Sequence, residues 1–262
     1  MKLKTYILSG GKSSRMGQDK GLQPILGKPA IAYLLDMLQP LGITPVIIAH
    51  EGGYSQFGVR VIGDVIPGKG PMGGIYTALS DAGEDVLILA ADAPFISTAV
   101  MRALLAQQEE GQINVIRYNG RVQPLCGIYP AVCAGEVKES VQSSRLKMMD
   151  LLDRFPTHYI GLEGIAEIFH NNNTPADHAA AVNYLRKMNI KCFGKLTDII
   201  TEPAVPAYPT TVQAFKDHLQ KAYPALATVG YKIALNRQIV TDPGTNICEA
   251  DEIALLPAFS GG

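Results

Sequence analysis

The sequence is short of charged residues, and neither sign of charge predominates. Of its 262 residues 18% are charged, and 23 basic residues nearly balance 24 acidic ones. A protein that binds nucleic acid or anionic membranes through its general surface needs a basic excess, so neither partner is expected. The sequence also lacks an apolar run of the ~18 residues that a membrane-spanning helix needs, so no such span is expected.

Cysteines are few and scattered. The four of them show no CxxC spacing, which argues against a disulfide framework and against a zinc site. The first strand-like segment meets glycine at Gly10, too early to leave room for the apolar core of a secretory signal. These observations predict reduced thiols and a cytoplasmic location. The cysteines are Cys126, Cys133, Cys192 and Cys248.

Apolar residues are present at a normal globular level, 47%, and the length allows one large domain or a large and a small one. Strand-like and helix-like segments alternate, and residues 86–91 form a continuous apolar run that is typical of a strand buried on both faces. This alternation predicts a three-layer, Rossmann-like α/β domain with a mostly parallel sheet. The other predicted strands are 3–9, 45–49 and 59–62, and the helices are 30–41, 72–80, 98–109 and 177–187.

The pattern changes near residue 188. Beyond it come a predicted strand (190–193), a proline-rich stretch and an amphipathic helix with Val212, Phe215 and Leu219 on one face. Thr210 or Thr211 is the expected cap of this helix. Strands at 231–235 and 252–256 complete a small α+β domain. The sequence therefore predicts two domains, 1–187 and 189–262, joined at Met188-Asn189.

A glycine-rich, basic loop follows the first predicted strand. Leu8 to Lys20 reads LSGGKSSRMGQDK, and residues 1–29 carry a single acid, Asp19. Glycines let backbone N–H groups approach phosphate oxygens, and Arg15 and Lys20 add positive charge. The segment is not a Walker A loop, because Tyr6 stands where that motif needs its first glycine, and it lacks the G-x-G-x-x-G spacing. A solvated surface face is the alternative to an anion site.

Asp92 directly follows the buried strand at 86–91, so its carboxylate is expected to face the crevice where α/β folds bind ligands. Mg²⁺ binds one or two carboxylates together with phosphate oxygens, which makes Asp92 the candidate metal ligand. Its alternative role, capping the helix that begins at Thr98, is disfavoured because Asp92 lies too far upstream. Asp64 follows a short strand of its own, a position where an aspartate can also be an ordinary turn residue with no part in a site.

These segments together resemble molybdenum cofactor guanylyltransferase over nearly all of residues 1–187. The resemblance rests on the loop, on Ala91-Asp92-Ala93-Pro94, on Pro71-Met72-Gly73-Gly74 and on Asn171-Asn172-Asn173-Thr174-Pro175. It implies a Mg²⁺-dependent nucleotidyltransferase that joins GMP from GTP to the pterin phosphate of the molybdenum cofactor. The asparagine segment is also a good helix start, with Thr174 as cap. Starting a helix is compatible with a role in the substrate site, because Asn171 and Asn173 lie before the helix.

The same resemblance implies a role for individual residues. The catalytic residues of this domain would be Asp92, Lys20 and Arg15, and Asp64 would be a second acid of the nucleotide site. Two departures stand out: Ser9 replaces a common alanine, and Ala49-His50-Glu51 replaces a segment where many relatives carry an asparagine near guanosine. The nucleotide would be bound by Leu8, Gly10, Gly11, Lys20, Asp64 and Asp92, and the pterin by Arg15, Asn171 and Asn173.

The sequence ends in Gly261-Gly262, directly after a predicted buried strand. Five extended residues from Ala258 would reach ~17 Å, enough to thread a narrow active site. A frayed end is the alternative, since small residues are common there.

Residues 189–262 resemble the small subunit of molybdopterin synthase, a ubiquitin-like sulfur carrier of β-grasp fold. The matching segments are Leu235-Asn236-Arg237-Gln238, Ala250 to Pro257 and the Gly-Gly end. The resemblance implies that a ubiquitin-activating-like adenylyltransferase activates Gly262. The resulting thiocarboxylate would serve the large synthase subunit. Pro206 is expected to weaken the second strand of such a fold.

Other functions remain open at this stage. The first domain could be a cytidylyl or sugar-phosphate nucleotidyltransferase, and the second could be a carrier of the thiamin pathway, since the two carrier families share the tail. The first domain could also be a degenerate partner of an active carrier. The asparagine segment and the attached carrier argue against the first alternative. Lys20, Asp64 and Asp92, all present, argue against the last.

Overall fold

The structure is a computed structural model that describes residues 3–9, 19–49, 52–162, 175–206, 210–248 and 251–258. Its contacts divide the chain into two compact units, Met1–Pro24 with Lys28–Asp177, and Ile25–Gly27 with His178–Gly262. The helix predicted at 177–187 is formed as Pro175–Met188, and the division falls inside it. The predicted domain limits, 1–187 and 189–262, remain a prediction.

The first unit is built on a seven-stranded sheet in the order β5-β4-β1-β6-β8-β7-β9. Its pairs are parallel except those of β8, which runs antiparallel to both β6 and β7. The mostly parallel sheet that the sequence predicts is thus confirmed. The strands are β1 (Lys4–Leu8), β4 (Val46–Ile48), β5 (Val61–Ile62), β6 (Val86–Ala90), β7 (Ile113–Tyr118), β8 (Arg121–Tyr129) and β9 (Thr157–Leu162), and β2 (Pro24–Ile25) and β3 (Lys28–Pro29) form a separate short pair.

Helices cover both faces of this sheet. Alternate residues of β6 belong to two hydrophobic clusters, Leu87 and Leu89 to one, Val86 and Ile88 to the other. All five residues of the strand are buried, as its continuous apolar run predicts. The first cluster includes side chains of α1 and α3, and the second includes those of α2, α4 and α5. These helices are α1 (Ala30–Leu38), α2 (Gly70–Ala82), α3 (Thr98–Ala106), α4 (Ala134–Gln142) and α5 (Met148–Arg154). The next helix along the chain, α6 (Pro175–Met188), lies mostly in the second unit.

The strand order places a ligand crevice between β1 and β6. The chain leaves β1 for β4 and β5 on one side, then returns to β6 on the other side. Leu8 and Ala90, the last residues of β1 and β6, are paired in register. At such a reversal the connections that leave neighbouring strands diverge to opposite faces, which opens a crevice at the carboxyl ends of the strands.

The second unit contains a four-stranded sheet in the order β10-β15-β12-β13. β15 is a central strand, parallel to β10 and antiparallel to β12. Val212, Phe215 and Leu219 of α8 are fully buried in the core of the unit, as predicted, and the Thr211 hydroxyl caps the helix by accepting from the Ala214 N–H (3.3 Å). This small sheet and its helix agree with a β-grasp fold. The elements are β10 (Ile190–Cys192), α7 (Leu196–Ile199), β11 (Thr210–Thr211), α8 (Val212–Ala222), β12 (Tyr231–Leu235), β13 (Gln238–Val240), β14 (Asn246–Ile247) and β15 (Ile253–Pro257).

The carboxylate of Asp81 ties helix α2 to the sheet of the first unit. Arg60 donates to both of its oxygens (2.7 Å each), and the Tyr6 hydroxyl donates to Oδ2 (2.7 Å). Arg60 and Tyr6 together hold the pKa of Asp81 below its usual range. A carboxyl group with a depressed pKa stabilises the fold above its unfolded pKa and loses that contribution as the pH falls through the folded value.

We therefore expect Asp81→Asn to lower the free energy of unfolding by about 1–3 kcal/mol at neutral pH. Asp36→Asn is the matched control, because Asp36 lies in an exposed ion pair with Lys28, and such pairs contribute little to stability. Urea unfolding at several pH values measures both variants. Equal stability of the two variants, or a deficit of Asp81→Asn that grows below pH 4, would contradict this account.

Candidate functional site

One pocket lies at the carboxyl ends of β1 and β6. It encloses about 660 Å³ including the solvent at its mouth. Leu8, Lys20, Asp64 and Asp92 all line it, and these are the predicted site residues within the described part of the chain. The structure thus brings together residues that are up to 84 positions apart, from Leu8 to Asp92. The other predicted site residues lie outside the described residues: Gly10, Gly11, Arg15, Asn171, Asn173 and Gly262.

Asp92 enters the pocket from a turn at the end of β6. The turn is closed by the Ala93 N–H, which donates to the Ala90 carbonyl oxygen (3.1 Å). Burial raises the pKa of the Asp92 carboxyl, and the positive charge of Lys20 opposes that rise. The alternative role as a helix cap is excluded, because Ser97 caps α3 by accepting from the Val100 N–H (3.4 Å). Asp92 is therefore a partly desolvated carboxylate that a cation would stabilise.

Asp64 lies beside α2, where it contacts Thr77. Its Oδ1 is 3.4 Å from the Thr77 hydroxyl oxygen, which also accepts from the Val65 N–H (3.0 Å). Gly70 and Pro71, in the first turn of this helix, line the same pocket. The amino end of a helix attracts anions through its N–H groups and its dipole. The pocket therefore combines a helix amino end and a lysine with two carboxylates, a set suited to a metal-bound polyphosphate.

Gly74, near the start of α2, lies against the end of β1. A Cβ at Gly74 would lie 3.0 Å from a methyl carbon of Leu8, tighter than an ordinary contact. The absence of a side chain at Gly74 therefore lets α2 approach the end of β1 and the pocket.

Lys20 stands in a tight turn. The Leu22 N–H donates to the Asp19 carbonyl oxygen (3.1 Å), and the Gln23 N–H donates to that of Lys20 (3.3 Å). The ammonium charge of Lys20 acts on the carboxyl of Asp92, so the two groups share one electrostatic environment. The last residues of the glycine-rich loop that are described thus place a cation at the wall of the pocket.

Sequence reasoning missed a second group of pocket residues. Ser9 and Asp19 line the pocket, and the Tyr54 hydroxyl joins them from a 3₁₀ helix, Gly52–Phe57. Two signals were available: Ser9 departs from the common alanine, and Asp19 is the single acid among the first 29 residues. Tyr54 gave no signal, because its role depends on a contact 35 positions from Asp19.

In the second unit, hydrogen bonds hold the strand that leads to the C-terminus. The Ala258 N–H donates to the Gly230 carbonyl oxygen (2.9 Å), so backbone hydrogen bonding continues for one residue past the end of β15. Before β15, the Asn236 amide donates to Asp251 Oδ1 (2.8 Å) and accepts from the Glu252 N–H (3.0 Å). Asn236 has a positive φ of 49° in the β12–β13 turn. The motif residues around 236 and 251 therefore join the β12–β13 turn to the segment that enters β15.

The described residues contain neither a membrane-spanning helix nor a cluster of side chains that would form a metal cage. None of the described helices combines the length and the apolar character that crossing a bilayer requires. Within the same residues, no three His, Cys, Asp or Glu side chains gather as a metal cage would need. A site that uses one or two carboxylates together with ligand oxygens would not produce such a cage.

Comparisons with known proteins match both parts of the chain. Residues 5–157 match the model of the MobA-like NTP transferase domain family, and residues 190–262 match that of the ThiS family. A protein of Flavobacterium johnsoniae named "Probable molybdenum cofactor guanylyltransferase" is 38% identical over 173 residues, which cover 65% of this chain and 90% of the relative. A Yersinia pestis protein named molybdenum cofactor guanylyltransferase is 32% identical over 176 residues, with the same two coverages.

A solved structure supports the fold of the first unit. It is molybdopterin-guanine dinucleotide biosynthesis protein A from Archaeoglobus fulgidus, which is 24% identical and superposes with a TM-score of 0.62. The match covers 71% of this chain and all of that one. The relatives therefore account for the first part of the chain, and the ThiS match accounts for the remainder.

Proposed function

The chain belongs to the MobA-like NTP transferase domain family, and from that premise we propose that it transfers GMP from GTP to the molybdenum cofactor. The observation that carries this proposal is the single pocket that gathers Lys20, Asp64 and Asp92 beside the amino end of α2. The names of the relatives supply the acceptor. We place this activity in a domain of residues 1–187, with Arg15, Asn171 and Asn173 toward the pterin.

In the proposed reaction, an oxygen of the pterin's terminal phosphate attacks the α-phosphorus of GTP. A new P–O bond forms, the bond from the α-phosphorus to the bridging oxygen breaks, and pyrophosphate leaves with that electron pair. Positioning and charge neutralisation dominate such transfers. Lys20 and the amino end of α2 would neutralise phosphate charge, while Leu8, Gly10 and Gly11 would hold the nucleotide against the end of β1.

The residues present fit a bound Mg²⁺. Asp92 is a partly buried carboxylate in the pocket, and Asp64 lines the same pocket, so one or two hard oxygen ligands are available to a cation that also binds phosphate oxygens. We propose Asp92 as the metal ligand and Asp64 as the second acid. When bound, the ion supplies charge neutralisation to the phosphates.

We further propose that residues 189–262 act as a sulfur carrier in molybdopterin synthesis. The ThiS match and the small sheet with β15 at its centre support this. The carboxylate of Gly262 would be adenylated by a ubiquitin-activating-like enzyme and converted to a thiocarboxylate, which the large subunit of molybdopterin synthase would use. Gly261 and Gly262 would form the reactive end of this carrier.

Nucleotide choice tests the first proposal. In calorimetric titrations with Mg²⁺, we expect GTP to bind more tightly than ATP or CTP, because the proposal assigns the base to guanine. Equal or tighter binding of CTP would instead favour a cytidylyltransferase. In that case we would examine Glu51 first, which belongs to the departing segment Ala49-His50-Glu51 and itself lies outside the described residues.

A further inference from the structure

We propose that Asp19 is a positioning residue, which Ser9 and Tyr54 hold in place so that Lys20 points into the nucleotide pocket. This inference rests on the proposed function for its substrate, GTP. Asp19 would contact neither the metal nor the reacting atoms. It would act through the turn that carries Lys20.

Three donors converge on one oxygen of Asp19. The Tyr54 hydroxyl lies 2.6 Å from Asp19 Oδ1, the Gly21 N–H 3.0 Å and the Ser9 hydroxyl 3.2 Å. The Ser9 and Tyr54 hydroxyls also contact each other, so the single Ser9 hydrogen can be donated either to Asp19 Oδ1 or to the Tyr54 oxygen, while Tyr54 donates to Asp19. The cluster joins three segments: the residue after β1, the 3₁₀ helix Gly52–Phe57 and the end of the glycine-rich loop.

The cluster is buried and tightly packed. Tyr54 is fully buried and Ser9 is 3% exposed, so their hydroxyl groups need partners inside the protein. A Cβ added at Gly21 would lie 2.8 Å from Ser9 Oγ and would also clash with the Tyr54 hydroxyl. The backbone at Gly21 is therefore pressed against the two side chains that hold Asp19.

This geometry fixes the chain on both sides of Lys20. The side chain of Asp19 accepts from the N–H of Gly21, and its carbonyl oxygen accepts from the N–H of Leu22. Lys20 lies between the residues that are held, so few backbone rotations remain open to it. Positioning a cation before the ligand arrives reduces the ordering cost of binding.

The negative charge of Asp19 is compatible with this role. A carboxylate in the wall of a triphosphate pocket repels the ligand unless it is paired with a cation or with donors. Here the donors offered by Ser9, Tyr54 and Gly21 converge on Oδ1. That oxygen is therefore paired inside the protein, which reduces its repulsion of the phosphates.

The decisive comparison is Asp19→Asn with Asp19→Ala in the full-length chain. Asparagine keeps an oxygen that accepts the same hydrogen bonds, whereas alanine removes it. We expect Asp19→Ala to raise KM for GTP about tenfold, which corresponds to about 1.4 kcal/mol, with a smaller change in kcat. Asp19→Asn should stay within about threefold of the original protein, because it keeps the acceptor oxygen. If Asp19→Asn is impaired as severely as Asp19→Ala, the negative charge matters and the positioning role is overturned.

Two further variants test the cluster itself. Tyr54→Phe and Ser9→Ala should each raise KM for GTP a few-fold, and the double variant should approach Asp19→Ala. Tyr159→Phe, which removes a phenol hydroxyl from β9 outside the pocket lining, should change nothing. If Asp19→Ala does not fold, these side-chain variants and Asp19→Asn still decide the question. Kinetics unchanged in the double variant would overturn the proposal.

Hydrogen exchange separates this inference from the proposed function. The amide hydrogens of Gly21 and Leu22 should exchange faster in Asp19→Ala than in the original protein, whatever the substrate is. The amide hydrogen of Gly21 should also exchange faster in the double variant Ser9→Ala, Tyr54→Phe. If the protein does not use GTP but shows this change in exchange, the proposed function is overturned and the positioning role of Asp19 stands. If the protein uses GTP but its Gly21 amide exchanges at the same rate in all variants, only the positioning role of Asp19 is overturned.

Discussion

Replacing Asp92 by asparagine is expected to reduce guanylyl transfer by roughly 10²-fold or more. The substitution keeps the shape of the side chain and removes the charge that would hold the metal in the pocket. Steady-state release of pyrophosphate from GTP with the pterin acceptor measures the effect. Calorimetric titration with Mn²⁺ and GTP should show weakened binding of the metal–nucleotide pair.

Asp85→Asn is the matched control for this experiment. Asp85 precedes the amino end of the same strand, β6, where its Oδ1 accepts from the Ala131 N–H (2.8 Å). An asparagine oxygen can accept the same bond, so we expect transfer close to that of the original protein. Near-normal transfer by a folded Asp92→Asn protein would remove Asp92 from the metal site.

The pKa of Asp92 adds a second expectation, about stability. Burial raises this pKa, so the folded state disfavours the ionised carboxylate relative to the unfolded chain. At neutral pH the buried charge of Asp92 therefore lowers the free energy of unfolding of the metal-free protein. Asp92→Asn removes this charge, so it should unfold at a urea concentration equal to or higher than that of the original protein. The difference should disappear as the pH falls below the unfolded pKa, because both forms are then neutral. A clear loss of stability in metal-free Asp92→Asn would contradict this reading.

The parts of the fold that could be predicted are those that depend on local patterns of residues in the sequence. The run 86–91 predicts β6 because a strand buried on both faces needs apolar residues at every position. The helix predicted at 30–41 continues as a 3₁₀ turn, Gln39–Leu41, because Pro40 has no N–H for a helical hydrogen bond. The antiparallel β7–β8 hairpin went unpredicted, although Asn119-Gly120 at its turn is a recognised hairpin signal.

In the candidate site, too, only the residues marked by local sequence patterns could be predicted. Lys20, Asp64 and Asp92 could be singled out because each follows a strand or a distinctive loop, and parallel strands bring their carboxyl ends to one edge. The Ser9–Tyr54–Asp19 cluster could not, because it depends on where the 3₁₀ helix Gly52–Phe57 packs. Distances such as 2.6 Å from the Tyr54 hydroxyl to Asp19 arise from tertiary structure. Sequence patterns thus indicate where a ligand binds more readily than what positions its contacts.

Extending the chain beyond Gly262 by a few residues is expected to abolish its activity as a sulfur carrier. The proposed chemistry takes place at the carboxylate of Gly262, which must be free and must enter a narrow active site. With the activating enzyme, ATP and a sulfur donor, intact protein should gain ~16 Da, since sulfur replaces one oxygen of the carboxylate, and the extended protein should gain nothing. Mass spectrometry of the full-length chain reads both results.

The control for this experiment is the same extension placed before Met1, which leaves Gly262 free and should preserve the gain in mass. Guanylyl transfer should be normal in the C-terminally extended protein, because Lys20, Asp64 and Asp92 lie in the other compact unit. The two activities would then be separable in one chain. An unmodified terminus in the original protein, or full carrier activity in the extended one, would reduce Gly261-Gly262 to an ordinary chain end. Loss of both activities on extension would instead show that the carrier tail contributes to nucleotide transfer.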